Sequence, residues 1–139
     1  MNEQQVGEGI RAAGISRNEI FVTTKVWMSD YGYEQTQRAF ELSLRKLGLD
    51  FLDLYLIHWP VPSAFEATVD AYKGAIKLLA DGRVRAIGVC NFSTGDLDKL
   101  IQQTGHVPAV NQVELHPFGF RIARTLQLTA IVRSSADPN

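Results

Sequence analysis

Along the chain, short and nearly continuous apolar runs alternate with longer stretches in which apolar residues recur every three or four places. The first periodic stretch covers residues 3–13, with Val6, Gly9, Ile10 and Ala13 expected on one helical face and Gly14 as the stop. "EIFVTTKVW" (19–27) is β-branched, aromatic and too short for a typical helix, so it predicts a strand. A polar loop with Ser29, Asp30 and Gly32 follows. Residues 33–47 then carry Ala39, Phe40, Leu44 and Leu47 at helical spacing and end at Gly48.

The same strand-then-helix unit recurs in pattern though not in letters. "FLDLYLIHW" (51–59) predicts a strand, and after a Pro-containing loop residues 63–80 predict a helix closed by Asp81 and Gly82. "VRAIGVCNF" (84–92) predicts the third strand, followed by a helix that Ser93 or Thr94 can cap. Asp96 and Asp98 favour the positive end of its dipole, and Gly105 lies beyond its end. "AVNQVELH" (109–116) predicts a fourth strand. Strands that begin about thirty residues apart with one helix between them indicate right-handed crossovers and a parallel α/β sheet. Beyond Pro117 the rhythm stops, so residues 118–139 are expected to form a divergent tail, with at most one short helix or strand around 122–132.

Composition narrows the function classes. The chain has 139 residues, about one domain, with fourteen basic and fifteen acidic side chains and a formal net charge of −1. The basic residues are scattered, which gives no stripe for nucleic acid. No apolar run approaches the ~20 residues of a membrane span, and the start is polar rather than signal-like. One cysteine, Cys90, excludes an internal disulfide and suits a reducing compartment, so the expected localisation is cytoplasmic. Three histidines and one cysteine show no metal-ligand spacing. Dinucleotide, P-loop and Gly-x-Ser-x-Gly motifs are absent.

In parallel sheets and barrels ligands bind at the carboxyl ends of the strands. Lys25 and Trp27 end the first strand, His58 and Trp59 the second and Asn91 the third, while Asn111, Gln112, Glu114 and His116 lie on the fourth. Each has a plain structural reading: a snorkelling lysine, a satisfied core imidazole, a turn asparagine, core indoles. Four successive strands placing such groups near one rim favour carbonyl or proton chemistry. Asn111 and Gln112 alternate in facing, and Gln112 is expected inward. Glu114 reads equally well either way, His106 as a loop residue, His116 as structural, and Cys90 as a small buried side chain.

Four strings in this order and spacing, "NEQQVGEGIRAAGISRNEIFVTTKVW", "SLRKLGLDFLDLYLIHWP", "AIGVCNFS" and "VPAVNQVELHP", resemble the aldo-keto reductase family, among its branches the bacterial 2,5-diketo-gluconate reductase type. The resemblance covers residues 2–117. It implies a (β/α)8 TIM-type barrel, of which this chain holds about four β/α units, with 118–139 outside it. It also implies an NADPH-dependent reductase of aldehydes and ketones, acting on a small carbonyl substrate.

Carried over by motif, Lys25 is similar to the lysine that lowers the pKa of a proton-donating tyrosine, and His58 to the histidine that orients and polarises the carbonyl. Asn91 and Gln112 are similar to the side chains holding the nicotinamide carboxamide. Cys90 stands on the cofactor side where the family usually has serine, and Trp27 and Trp59 match pocket-lining positions. In the family that tyrosine and an aspartate partner come just before the position of Asn2. The expectation is therefore a fragment lacking both ends of the barrel, poorly active alone, with sheet edges open to self-association. The alternative is a non-catalytic interaction subunit.

Overall fold

Four strands lie side by side in chain order, all parallel: β1 (Thr23–Val26), β2 (Leu52–Ile57), β3 (Val84–Cys90) and β4 (Asn111–Gln112). The computed structural model of the protein describes residues 2–113. Helices α1 (Glu3–Ala12), α2 (Tyr33–Leu47), α3 (Phe65–Ala80) and α4 (Thr94–Thr104) precede or link the strands, and neighbouring helices pack on one another. A strand order without a switch, each step crossed by one helix, is the single winding of a β/α barrel rather than the double winding of an open sheet. The protein is thus a four-strand part of a (β/α)8 architecture. Among the described residues no helix is long and apolar enough to cross a membrane.

The two-residue period of the strands divides the sheet into a helix side and an opposite side, on which Leu56, Gly88 and Cys90 are buried and Lys25 and Leu54 partly exposed. Val26, Tyr55, Ile57, Ile87 and Val89 join Phe40, Leu44, Val69, Tyr72 and Leu100 in one buried core. The opposite side carries Thr23, Lys25, Leu54, Leu56, Ala86, Gly88 and Cys90, aligned in rows by the register Thr23–Leu54–Ala86 and Lys25–Leu56–Gly88. Gly88 is required by close approach: a Cβ there would lie 2.6 Å from the Val110 carbonyl oxygen and 2.9 Å from Leu56 Cδ2. That carbonyl accepts from the Val89 amide at 2.9 Å and so attaches β4.

At the amino ends of the strands Asp53 closes the core. It is 1% exposed and accepts from the Val22 amide (2.8 Å), Arg17 Nη2 (2.7 Å) and Arg85 Nη1 (2.9 Å). Both guanidinium groups also lie over the Phe51 ring, at 4.1 and 4.6 Å from its centroid. Burial by itself would raise this carboxyl, but the amide and the two arginines outweigh it and hold the pKa below the ordinary aspartate value.

The expected elements are present with three corrections. The first strand is shorter than 19–27, because Arg17–Glu19 forms a 3-10 turn whose arginine reaches Asp53. The buried positions of α1 are Glu3 and Gly7, with Ile10 packed against the core; Val6 is 42% exposed, and Gly9 and Ala13 are exposed as well. Gly7 lets α1 lie against the Leu47 backbone, and Glu3 accepts from Thr24 Oγ1 at 2.8 Å and faces Lys46 Nζ at 3.7 Å. A polar pair and a missing side chain decide this face, which apolar periodicity cannot register. Finally, the third helix is preceded by a separate 3-10 turn, Pro62–Ala64. Of the fourth strand, expected over 109–116, Asn111–Gln112 is paired; its end, with Glu114 and His116, and the whole 118–139 tail lie outside the described residues.

Two stability tests follow from this packing. Asp53→Asn leaves two arginines without their counter-charge and is expected to cost about 2–4 kcal/mol, somewhat less than a fully enclosed pair because Arg85 is half exposed. Because the folded pKa is depressed, the stabilisation is present above the unfolded value of ~3.9 and is lost as pH falls through the folded value. Urea unfolding should therefore separate wild type and variant widely at pH 7 and much less at pH 3. Gly88→Ala should cost roughly 1–3 kcal/mol in the same assay, since the added methyl group meets backbone that cannot retreat without breaking the β3–β4 pairing.

Candidate active site

Polar side chains stand at the carboxyl ends of all four strands on the side away from the helices. Lys25 is half-buried in the row with Leu56 and Gly88. One row further toward the carboxyl ends stand His58, which follows directly on β2, and the registered pair Cys90 and Gln112. The Cys90 thiol donates to Gln112 Oε1 at 3.8 Å, a long, weak contact that turns the amide's NH2 end away from the sulfur. Trp27 lies edge-on to the His58 ring at 4.6 Å between centroids, and the Trp59 ring lies tilted to it at 6.3 Å. Trp27 is 42% exposed, so it forms a wall rather than core.

The electrostatics of this mouth couple the same residues. Burial first, then the nearby Lys25 charge, hold the His58 imidazole below its ordinary pKa, so the ring is neutral at pH 7. Burial pushes the Cys90 thiol up to about 11, with Lys25 pulling against it, so the sulfur is a protonated donor and not a thiolate nucleophile. A neutral imidazole, a nearby ammonium group and an amide at one open rim can donate hydrogen bonds to a carbonyl oxygen and present positive charge to it as it becomes negative.

Asn91 sits at the turn out of β3 with φ 61°, in the left-handed region that asparagine tolerates better than most residues, and its amide donates to the Gln112 carbonyl at 2.9 Å. Asn111 has the opposite facing from Gln112: its Nδ2 donates to the Phe92 carbonyl (2.9 Å) and its Oδ1 accepts from the Phe92 amide (3.3 Å). Of the two neighbours, Asn111 secures the β3 exit and Gln112 is the one beside Cys90. His106 lies in the loop before β4, its Nδ1 3.1 Å from the Tyr72 hydroxyl, away from the mouth. Among the described residues no group of three or more His, Cys, Asp or Glu side chains could hold a metal.

Tyr31 escaped sequence reasoning. Its hydroxyl donates to the Trp59 carbonyl (2.7 Å) and accepts from the Trp59 amide (3.0 Å), joining the loop after β1 to the exit of β2. Burial pushes its phenol up to about 12, the Trp59 hydrogen bonds acting the other way. A tyrosine in a polar, glycine-bearing loop has no periodicity to announce it; only its unused hydroxyl could have raised the question.

Parallel strands in sequential order, with acid–base and amide groups gathered at their carboxyl ends, are the arrangement in which β/α barrels hold their ligands. The model of the Aldo/keto reductase family matches residues 1–134, and the chain belongs to that family. It is 59% identical over 117 residues to a morphine 6-dehydrogenase of Pseudomonas putida, an alignment that takes in 84% of this chain and 39% of the relative. Among solved structures, an aldo/keto reductase from Brucella melitensis superposes with a TM-score of 0.87 at 48% identity, covering 94% of this chain and 50% of that one. A Bombyx mori aldo-keto reductase in complex with NADP superposes with a TM-score of 0.82 at 33% identity, covering 93% and 45%. The chain spans about two fifths of the length of the curated relatives it matches.

The geometry sets an expectation for His58. Its ring resonances should titrate with a midpoint below 6.5, and Lys25→Met should raise that midpoint only part of the way back, because burial is the larger cause. Since the folded value is depressed, the linked stability is present above ~6.5 and is lost as pH falls below it. Proton NMR of the imidazole Hε1 in the two proteins checks both statements.

Proposed function

We propose that these strands carry the carbonyl-facing side of an NADPH-dependent oxidoreductase that reduces aldehydes or ketones to alcohols. The observation that carries the reading is the placement of Lys25, His58, Cys90 and Gln112 in two adjacent rows at the carboxyl ends of four consecutive strands, with two indoles beside the histidine. Membership of the Aldo/keto reductase family supports the reaction class, and the NADP in the Bombyx mori relative supports the cofactor. The donor set fits a nicotinamide: Gln112 stands beside Cys90 and Asn91 follows at the exit of β3, two residues whose amides have the chemistry that pairs with a carboxamide. When bound, NADPH would supply hydride to the carbonyl carbon.

This chain's residues do the remaining work. The neutral His58 ring donates to the carbonyl oxygen and fixes its direction, and Lys25 places positive charge beneath it to stabilise the negative charge of the transition state. Gln112 and Asn91 hold the carboxamide, Cys90 steadies the Gln112 amide, and Trp27 and Trp59 exclude water from the histidine. Among the described residues proton delivery is the weak step. Of the four tyrosines in the sequence, Tyr31 is engaged by Trp59, Tyr33 is exposed at the start of α2, and Tyr55 and Tyr72 are buried in the helix-side core. With water as the donor, turnover by this chain alone should fall ~10²–10⁴-fold below that of a site with a positioned acid.

Titrating isotopically labelled protein with NADPH is expected to move the side-chain amide resonances of Gln112 and Asn91, and a reactive aromatic aldehyde added next should move the His58 ring. Millimolar NADPH that leaves both amides unmoved would overturn the cofactor assignment. Slow aldehyde reduction that survives His58→Ala undiminished would overturn the role of the histidine.

A further inference from the structure

His58 lies one residue beyond the last paired position of β2: the ladder to β1 ends at Val26–Ile57 and the ladder to β3 at Ile57–Val89. A side chain just past a strand end is set by whatever holds the backbone on its far side. Here that backbone is Trp59, and both its amide and its carbonyl are taken by one hydroxyl, that of Tyr31. The loop carrying Tyr31 is itself held down. Asp30 N donates to the Trp27 carbonyl at 2.9 Å, and the buried Thr36 of α2 donates through Oγ1 to the Asp30 carbonyl at 3.1 Å. A path of hydrogen bonds thus runs from the core-packed α2 through the β1 exit to the residue next to His58.

We propose that Tyr31 is a positioning residue, whose two hydrogen bonds to Trp59 hold the His58 ring against Trp27 and facing the strand-end mouth. The proposal rests on the reading of His58 as the group that meets the carbonyl. Its physical logic is that one hydroxyl replaces the donor and acceptor that a neighbouring strand would have supplied. The imidazole then keeps an ordered backbone while its own nitrogens remain for the ligand. Tyr31 touches no reacting atom; it acts through Trp59. Of the titratable groups, Lys25 acts on the ring by its charge, while Tyr31 interacts with the His58 backbone and with Cys90.

Tyr31→Phe keeps the ring and removes both hydrogen bonds, and can be read on the whole 139-residue chain without turnover. Three changes are expected: the His58 Hδ2 and Hε1 shifts move toward free-histidine values as the Trp27 ring current weakens, the imidazole midpoint rises toward ~6.5, and Trp59 amide exchange speeds up roughly tenfold. Tyr33→Phe, at an exposed tyrosine of the same segment, should move none of them. Unchanged His58 shifts and midpoint in a folded Tyr31→Phe protein would overturn the proposal. If that variant does not fold, the unaltered protein decides: the Trp59 amide should exchange as slowly as those of β2, and exchange at the rate of an open loop sinks the idea. A missing NADPH response with these His58 readouts intact would count against the function and leave the positioning role standing.

Discussion

The two-residue period of β2 is the constraint on which the rest of the structure depends. Asp53, Tyr55 and Ile57 face one way, Leu54, Leu56 and then His58 the other, and the parallel register extends that division to β1 and β3. A slip of one residue would put His58 and Lys25 into the helix-packed core and expose Tyr55 and Ile57. The cost of such a slip, several large apolar side chains moved into water, is what makes the polar row at the mouth reproducible. The site is therefore held in place by burial on the side that does no chemistry.

The two ends of the strands divide the work. At the amino ends Asp53 gathers an amide and two arginines that share the Phe51 ring, an arrangement that stabilises and has no open face for a ligand. At the carboxyl ends the ladders stop and the groups are only partly enclosed, so solvent reaches some of them while burial still shifts others. Burial keeps both His58 and Cys90 uncharged; the Lys25 charge adds to this effect at His58 and opposes it at Cys90. Around His58 order comes from ring contacts and from the Tyr31 hydroxyl, since both ladders of β2 end at Ile57.

Much of this was legible in the letters because it is periodic or local. The helices over 33–47 and 94–104 end at Gly48 and Gly105 as their patterns foretell, and Ser93 caps α4 in a reciprocal box with Asp96. Alternation separates the facings of Asn111 and Gln112, and the β3–β4 register then puts Gln112 beside Cys90. The buried face of α1 was not legible, because it is made of a glycine in backbone contact and a glutamate satisfied by Thr24 and Lys46. The same holds for Tyr31, whose partner is twenty-eight residues away.

By itself the sequence determined the parallel β/α rhythm, the resemblance to its family, and the set of polar residues at the strand ends. These follow from side-chain period and from propensities that act over a few residues. Tertiary structure alone decided which of those residues share a row, how far burial and the Lys25 charge shift His58 and Cys90, and that Tyr31 reaches Trp59. Register, desolvation and a two-sided hydrogen bond depend on atoms brought together from distant parts of the chain, and no local pattern encodes those distances.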